Sequence, residues 1–230
     1  MIAQLVEHLT VNQVVPGSSP GRGANYMKYT IIEDCSPYYI RFTHNGINEF
    51  INYSLDMFNQ QDWSKSYSVK HPGFSHCKLD LKEGEDLLSK TPISSKITLT
   101  PNRVSFFNSK PGLDYCAHKD GINHRFSINY TVKVLDDKCI TRWYSDDDCK
   151  NYSIDTLNGS SRECIDFDKT KHVPLKTMIA KSGECILFNT DIWHSWDNTQ
   201  SVNDRIILTF RALNPENVYF EDVRKILLGV

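Results

Sequence analysis

No apolar run in this 230-residue sequence approaches the ~18 residues that a membrane-spanning helix requires. No basic start followed by a long apolar stretch marks a secretory leader. There is no C-x-x-C pair. The seven cysteines stand at 35, 77, 116, 139, 149, 164 and 185, odd in number and scattered. That argues against a zinc ribbon or a disulfide framework, and for reduced thiols in a cytoplasmic setting; the alternative is one disulfide in a secreted setting. Charge of one sign is not in excess. A net charge of −2 excludes the strongly basic surface of a general nucleic-acid binder. A phosphate-binding glycine loop, a G-x-S-x-G elbow and an H-E-x-x-H pair are all missing, which counts against kinase, α/β-hydrolase and zinc-protease chemistry. No repeat is seen at a period of 20–50 residues.

What is present is material for a core. Apolar residues make up 40% and aromatic residues 11% of the chain, too many for a disordered one. Residues 1–26 stand apart. They end in the Pro/Gly/Ser-rich PGSSPGRGA and resemble a peptide that recurs when a reading frame runs through a transfer-RNA gene. We expect this stretch to be a flexible, non-native extension, with a single domain over residues 27–230; the alternative is a short docking helix at Ile2–Leu9.

From Met27 the apolar pattern is short and alternating, punctuated by Gly, Pro, Asn and Asp. It predicts strands at Tyr29–Ile32, Tyr38–Phe42, Lys96–Thr100, Arg103–Phe107, Arg125–Leu135, Cys139–Ser145, Pro174–Lys181, Glu184–Asn189 and Arg205–Ala212. Helical spacing appears at Asn48–Phe58, a short helix is expected at Glu83–Ser89, and Pro215 suits the start of a terminal helix over Glu216–Leu228. The acidic stretch 146–170 reads as a long loop or hairpin insertion, and Asp146–Asp148 as a solvated turn. Many short strands with few helices predict a mainly β sandwich or barrel.

Three places carry chemistry. In Cys116-Ala117-His118-Lys119-Asp120, His118 and Asp120 share a face if the segment is extended. In Gly183-Glu184-Cys185-Ile186-Leu187-Phe188-Asn189, a turn leads into a buried strand, and His194 follows between Trp193 and Trp196. The third is a strand with a cation at each end, Arg205 to Arg211. Two imidazoles and one carboxylate on one side of a metal are the facial triad of non-haem Fe(II) oxygenases. A neighbouring Arg offers a bidentate fork for the carboxylate of a keto-acid cosubstrate.

The pattern His118-x-Asp120, His194 and Arg205, eleven residues after His194, resembles the Fe(II)/2-oxoglutarate dioxygenase superfamily. GECILFNTDIWHSWDN followed by DRIILTFR is similar to its aspartyl/asparaginyl β-hydroxylase-like branch, which also has an Arg near the position of Arg125. Some members of that branch lack the carboxylate that Asp120 supplies here. The resemblance spans roughly residues 96–212. It implies a double-stranded β-helix (jelly roll, cupin-like) with a few flanking helices. It implies Fe(II) on His118, Asp120 and His194, with 2-oxoglutarate and O2 as cosubstrates. Arg205, Arg125 and Tyr130 become the cosubstrate-binding candidates. The reaction implied is hydroxylation of an unactivated C–H bond, in an amino acid or in a peptide or protein side chain.

Competing readings stand beside each role. Arg205 can instead pair with Asp204 or Asp197, and Arg211 is the rival anchor. Arg125 can be a surface charge. Asn129 and Tyr130 point to opposite faces of one strand, so only one can line a cavity. Trp193 and Trp196 read as core or rim packing, and Cys116 and Cys185 as small buried apolar residues. His124 has only proximity in its favour. The site as a whole competes with a non-catalytic cupin-like metal- or ligand-binding module, with a nucleic-acid demethylase, and with a structural jelly roll. The partners expected are a small molecule or peptide, with neither membrane nor nucleic acid.

Overall fold

The computed structural model describes residues 29–65, 73–120, 125–157, 160–165, 167–169, 171–212 and 218–229. The expected extension at 1–26, and His124, lie outside them. The strands are β1 (Tyr29–Cys35), β2 (Tyr39–His44), β3 (Phe74–Lys78), β4 (Ser105–Ser109), β5 (Ala117–Lys119), β6 (Phe126–Lys133), β7 (Ile140–Trp143), β8 (Ser153–Leu157), β9 (Ser160–Ile165), β10 (Lys176–Ile179), β11 (Cys185–Asn189), β12 (His194–Asp197) and β13 (Arg205–Phe210). The α-helices are α1 (Ile47–Gln60), α2 (Leu81–Lys90) and α3 (Phe220–Leu228).

The strands form two antiparallel sheets. A seven-stranded sheet runs β1-β2-β11-β6-β13-β4-β3, and a six-stranded sheet runs β10-β7-β12-β5-β9-β8. From β4 onward the chain passes back and forth between them: β4, β6, β11 and β13 lie in the large sheet, and β5, β7, β10 and β12 in the small one. This winding is the double-stranded β-helix, or jelly roll. The hairpin β8–β9 is inserted between β7 and β10 and adds to the small sheet beside β5. The stretch 146–170 thus contains a hairpin.

Strand parity decides what faces the cavity between the sheets. In β13, Ile206, Leu208 and Phe210 join the main core on the helix side. Arg205, Ile207 and Thr209 turn the other way, into the cavity. Both faces are covered, so the whole strand is buried. In β6, Phe126, Ile128, Tyr130 and Val132 are in the same core, while Ser127 and Asn129 line the cavity. Helix α1 docks through Ile47, Phe50, Ile51 and Phe58, one apolar stripe at helical spacing. Helix α2 opens with a capping box between Asp80 and Glu83. Helix α3 docks through Phe220, Val223 and Leu227.

Two expectations are corrected. Lys96–Thr100 forms no strand. Pro92, with the Thr91 side chain capping Ile93, starts a 3-10 turn over Pro92–Ser95, and only Leu99 makes an isolated bridge, to Ala212. Ile97 and Leu99 are buried in the core, which accounts for their alternation. Cys116 is not a free thiol: it forms a disulfide with Cys164, joining the approach to β5 to β9. The scattered spacing gave no sign of the pairing, because the two cysteines meet only across the β5–β9 ladder, 48 residues apart.

Candidate functional site

His118 on β5 and His194 on β12 are directly paired across the small sheet, with ring centroids 4.2 Å apart. His194 opens β12 rather than ending the strand before it. Asp120 follows β5, where its N–H donates to the Thr190 carbonyl at 3.2 Å. One oxygen of Asp120 lies 3.7 Å from His118 Nε2. The three side chains offer ligand atoms all within 4.8 Å of one another.

The imidazoles are oriented from behind. The Nδ1–H of His118 donates to the Cys116 carbonyl at 3.1 Å, and that of His194 to the Ile192 carbonyl at 2.8 Å. With the proton on Nδ1, each Nε2 carries the lone pair that a metal needs. Aromatic edges hold the rings in place: Tyr115 and Trp196 against His118, and Phe188 against His194.

The triad opens into a cavity of about 680 Å³, counting its mouth, between the sheets. At the start of β13 Arg205 faces this cavity, only 8% exposed. Its Nη2 donates to Thr141 Oγ1 at 3.3 Å, and its Nε meets no acceptor. No described carboxylate pairs with it. The two proposed rivals are engaged elsewhere: Asp204 pairs with Lys110 at 2.7 Å and Asp197 with Arg142 at 2.8 Å. A buried guanidinium beside a hydroxyl and without an acid is an anion site in waiting. Arg211 also lines the cavity, but it stands 3.6 Å from Asp120 at the triad end.

Two other candidates are placed away from the cavity. Arg125 donates to Asp191 at 3.1 Å, and its guanidinium lies 4.5 Å from the centre of the Tyr219 ring. Through Nη1 the guanidinium ties the start of β6 to the turn before His194, while its buried Nε meets no acceptor among the described residues. Tyr130 points to the opposite face, where its hydroxyl meets Thr91 and His44 inside the helix-side core. Burial pushes that hydroxyl well above the usual tyrosine range. The inward position next to it belongs to Asn129, whose Oδ1 accepts from Thr209 at 2.9 Å.

Trp196 lines the cavity, stacked on Tyr115 at 3.9 Å, whereas Trp193 packs in a separate cluster with Tyr144. Sequence reasoning missed Thr141, Phe107 and Phe74. Counting parity forward from Arg205 would have found Ile207 and Thr209. Phe74 lies on β3, a strand the pattern did not reveal.

No family model and no curated protein matches this chain. Among solved structures it is similar to HygX from Streptomyces hygroscopicus with nickel, 2-oxoglutarate and hygromycin B bound, at 10% identity over 75% of this chain and 81% of that one, TM-score 0.48. It is similar to the epimerase SnoN in complex with Fe3+, alpha ketoglutarate and nogalamycin RO, at 11% identity over 78% and 82%, TM-score 0.46. It is also similar to a Pseudomonas putida prolyl-4-hydroxylase, at 12% identity over 77% and 94%, TM-score 0.45.

Proposed function

We propose that this protein is an Fe(II)- and 2-oxoglutarate-dependent oxygenase that hydroxylates an unactivated C–H bond. The observation that carries the reading is a His-Asp-His cluster opening into the same cavity as a buried arginine with no acid partner among the described residues. The donor set fits the metal. Two imidazoles with their Nδ1 protons tied to backbone and one carboxylate match a divalent iron site that leaves positions for exogenous ligands. Bound there, Fe(II) with 2-oxoglutarate and O2 would supply the oxidising power.

The remaining work belongs to the chain. His118, Asp120 and His194 hold the metal, and the Cys116 and Ile192 carbonyls keep both imidazoles in the ligating tautomer. Arg205 and Thr141 receive the distal carboxylate of the cosubstrate, fixing its orientation in the cavity. Phe188 and Trp196 shield the imidazoles from water. An amino acid or a peptide side chain as substrate rests on the sequence resemblance to the aspartyl/asparaginyl β-hydroxylase-like branch.

The test is anaerobic titration with Fe(II) and 2-oxoglutarate, watching for the weak visible metal-to-ligand charge-transfer band of such complexes. The band is expected in the native chain and lost in His194→Ala. A folded, metal-loaded sample that binds no 2-oxoglutarate would instead be a cupin-like binding module.

A further inference from the structure

Strand β5 carries His118 between two neighbours. On one side His118 pairs with His194 of β12, and on the other with Cys164 of β9. Past β9 comes β8, the edge of the small sheet. The β8–β9 hairpin meets the rest of that sheet through a ladder of three residue pairs: Ala117 with Ile165, His118 with Cys164, and Lys119 with Glu163. A covalent bond reinforces this ladder. Cys164, directly opposite His118, reaches back to Cys116, two residues before it. The Cys116 carbonyl accepts the Nδ1–H of His118 at 3.1 Å. The two cysteines also pack in one apolar cluster with Phe74, Leu113 and Tyr115, against which Trp196 lies. Tyr115 and Trp196 stand at steep angles to the His118 ring, with centroids 5.3 and 5.4 Å away. The disulfide is thus joined to His118 twice, through the backbone that fixes its tautomer and through the rings that hold it.

We propose that the Cys116–Cys164 pair is a redox switch on the metal site: closed, it holds His118 ready to ligate, and opened, it weakens metal binding. This rests on the reading of the triad as a metal site. The step is thiol–disulfide exchange with a dithiol. A thiolate of the dithiol attacks one sulfur, the Cys116–Cys164 bond breaks, and a mixed disulfide forms. The second thiol of the reductant then displaces the remaining protein sulfur. The dithiol is oxidised to a disulfide, two electrons pass to the protein, and both cysteines end as protonated thiols. Both cysteines are buried, so the reductant gains access when β9 lifts from β5. With the bond open, the three ladder pairs hold β9 alone, and the segment from Cys116 to His118 loses its covalent anchor. The imidazole then also samples the tautomer with its proton on Nε2, which cannot ligate through that nitrogen. The coupling is reciprocal: a metal that favours the closed arrangement protects the disulfide.

The probe is Mn(II), a hard cation with little preference for freed thiols. The air-oxidised chain is compared, under anaerobic conditions, with the same chain reduced by dithiothreitol and then freed of reductant. Thiol titration after denaturation should count five thiols in the first and seven in the second. Calorimetry should show Mn(II) bound roughly ten- to hundred-fold more weakly after reduction, the usual effect of disturbing a group that orients a ligand. Reoxidation should restore the affinity. Cys116→Ala/Cys164→Ala should bind like the reduced chain and ignore dithiothreitol. Saturating Mn(II) should shift the reduction equilibrium toward the disulfide by the same factor. In metal-free protein at about pH 8, where imidazole is neutral, nitrogen-15 shifts should place the His118 proton on Nδ1 in the oxidised chain and on both nitrogens in the reduced one. Seven thiols in a chain that air does not close, or equal Mn(II) affinity in the oxidised and reduced chains, would overturn the proposal. So would a reduced chain that has lost its fold by circular dichroism, since the bond would then be a structural staple. Failure of the oxidised chain to bind Mn(II) or Fe(II) would instead overturn the metal reading. The His118 tautomer then decides the switch, which stands if the tautomer moves with the disulfide and falls if it does not.

Discussion

Arg205 and Arg211 show how far a residue's role follows from its neighbours. Both are arginines lining one cavity, at the start of β13 and just past its end, yet one is buried beside a threonine hydroxyl and the other faces a carboxylate. Arg205→Gln is expected to weaken 2-oxoglutarate binding by roughly ten- to hundred-fold, the worth of a charge-assisted hydrogen bond. Metal affinity should be unchanged, because Arg205 is not among the triad. Arg205→Lys should recover only part, since an ammonium cannot form the two parallel bonds of a guanidinium. Calorimetric titration of 2-oxoglutarate into the metal-loaded variants checks this; native affinity in Arg205→Gln would remove Arg205 from the cosubstrate site. The residues legible in the sequence were those whose spacing carries the geometry: His118 and Asp120 two apart, then His194, then Arg205. For Arg125 and Tyr130, spacing does not tell which partner the side chain meets. Asp191 and Tyr219 take Arg125, and the helix-side core takes Tyr130.

At the scale of elements, short alternating runs gave most strands to within a few residues, because a half-buried ladder must alternate. The strands β3, β5 and β12 and the hairpin strands β8 and β9 were not individually legible, and Lys96–Thr100 imitated a strand without a partner. Helix α2 carries a mark of its own packing. Gly84 sits buried in mid-helix, where glycine is a poor helix former. A Cβ there would run into the carbonyl of Pro101, which begins the 3-10 turn Pro101–Arg103. Gly84→Ala is therefore expected to destabilise the fold by about 1–3 kcal/mol despite the better helix propensity of alanine. A urea denaturation midpoint that rises in the variant would show that the close approach is not needed.

For the whole molecule, the helix-side core holds one titratable imidazole that binds nothing at the triad. His44 donates from Nδ1 to the Asn45 carbonyl at 2.8 Å and accepts at Nε2 from the Tyr130 hydroxyl at 3.2 Å. Burial lowers its pKa below the ordinary value of 6.5. The folded chain refuses a proton that the unfolded chain accepts. Its contribution to stability is thus complete above pH 6.5 and is lost as pH falls through the lower folded value. The loss should not exceed about 1.4 kcal/mol per pH unit. His44→Gln keeps an acceptor for Tyr130 without a proton to gain. Its urea midpoint should fall less than that of the native chain between pH 7 and pH 5; parallel curves would assign the acid sensitivity to other groups.

What the sequence by itself determined is local and periodic. Alternation set most of the large-sheet strands, helical spacing set the first docked helix, and the His118, Asp120, His194 and Arg205 spacing set the candidate site. The elements are legible because backbone geometry converts spacing into direction within a single element. Only the tertiary structure decided which face of β6 meets the cavity, that Asp197 and Asp204 pair elsewhere than with Arg205, that Cys116 meets Cys164, and that Phe74, Phe107 and Trp196 line the same cavity as the triad. Each of these depends on strands distant in the chain coming into register across two sheets. That pairing is fixed by burying both faces of the large sheet at once, a condition on the whole molecule that no single segment contains.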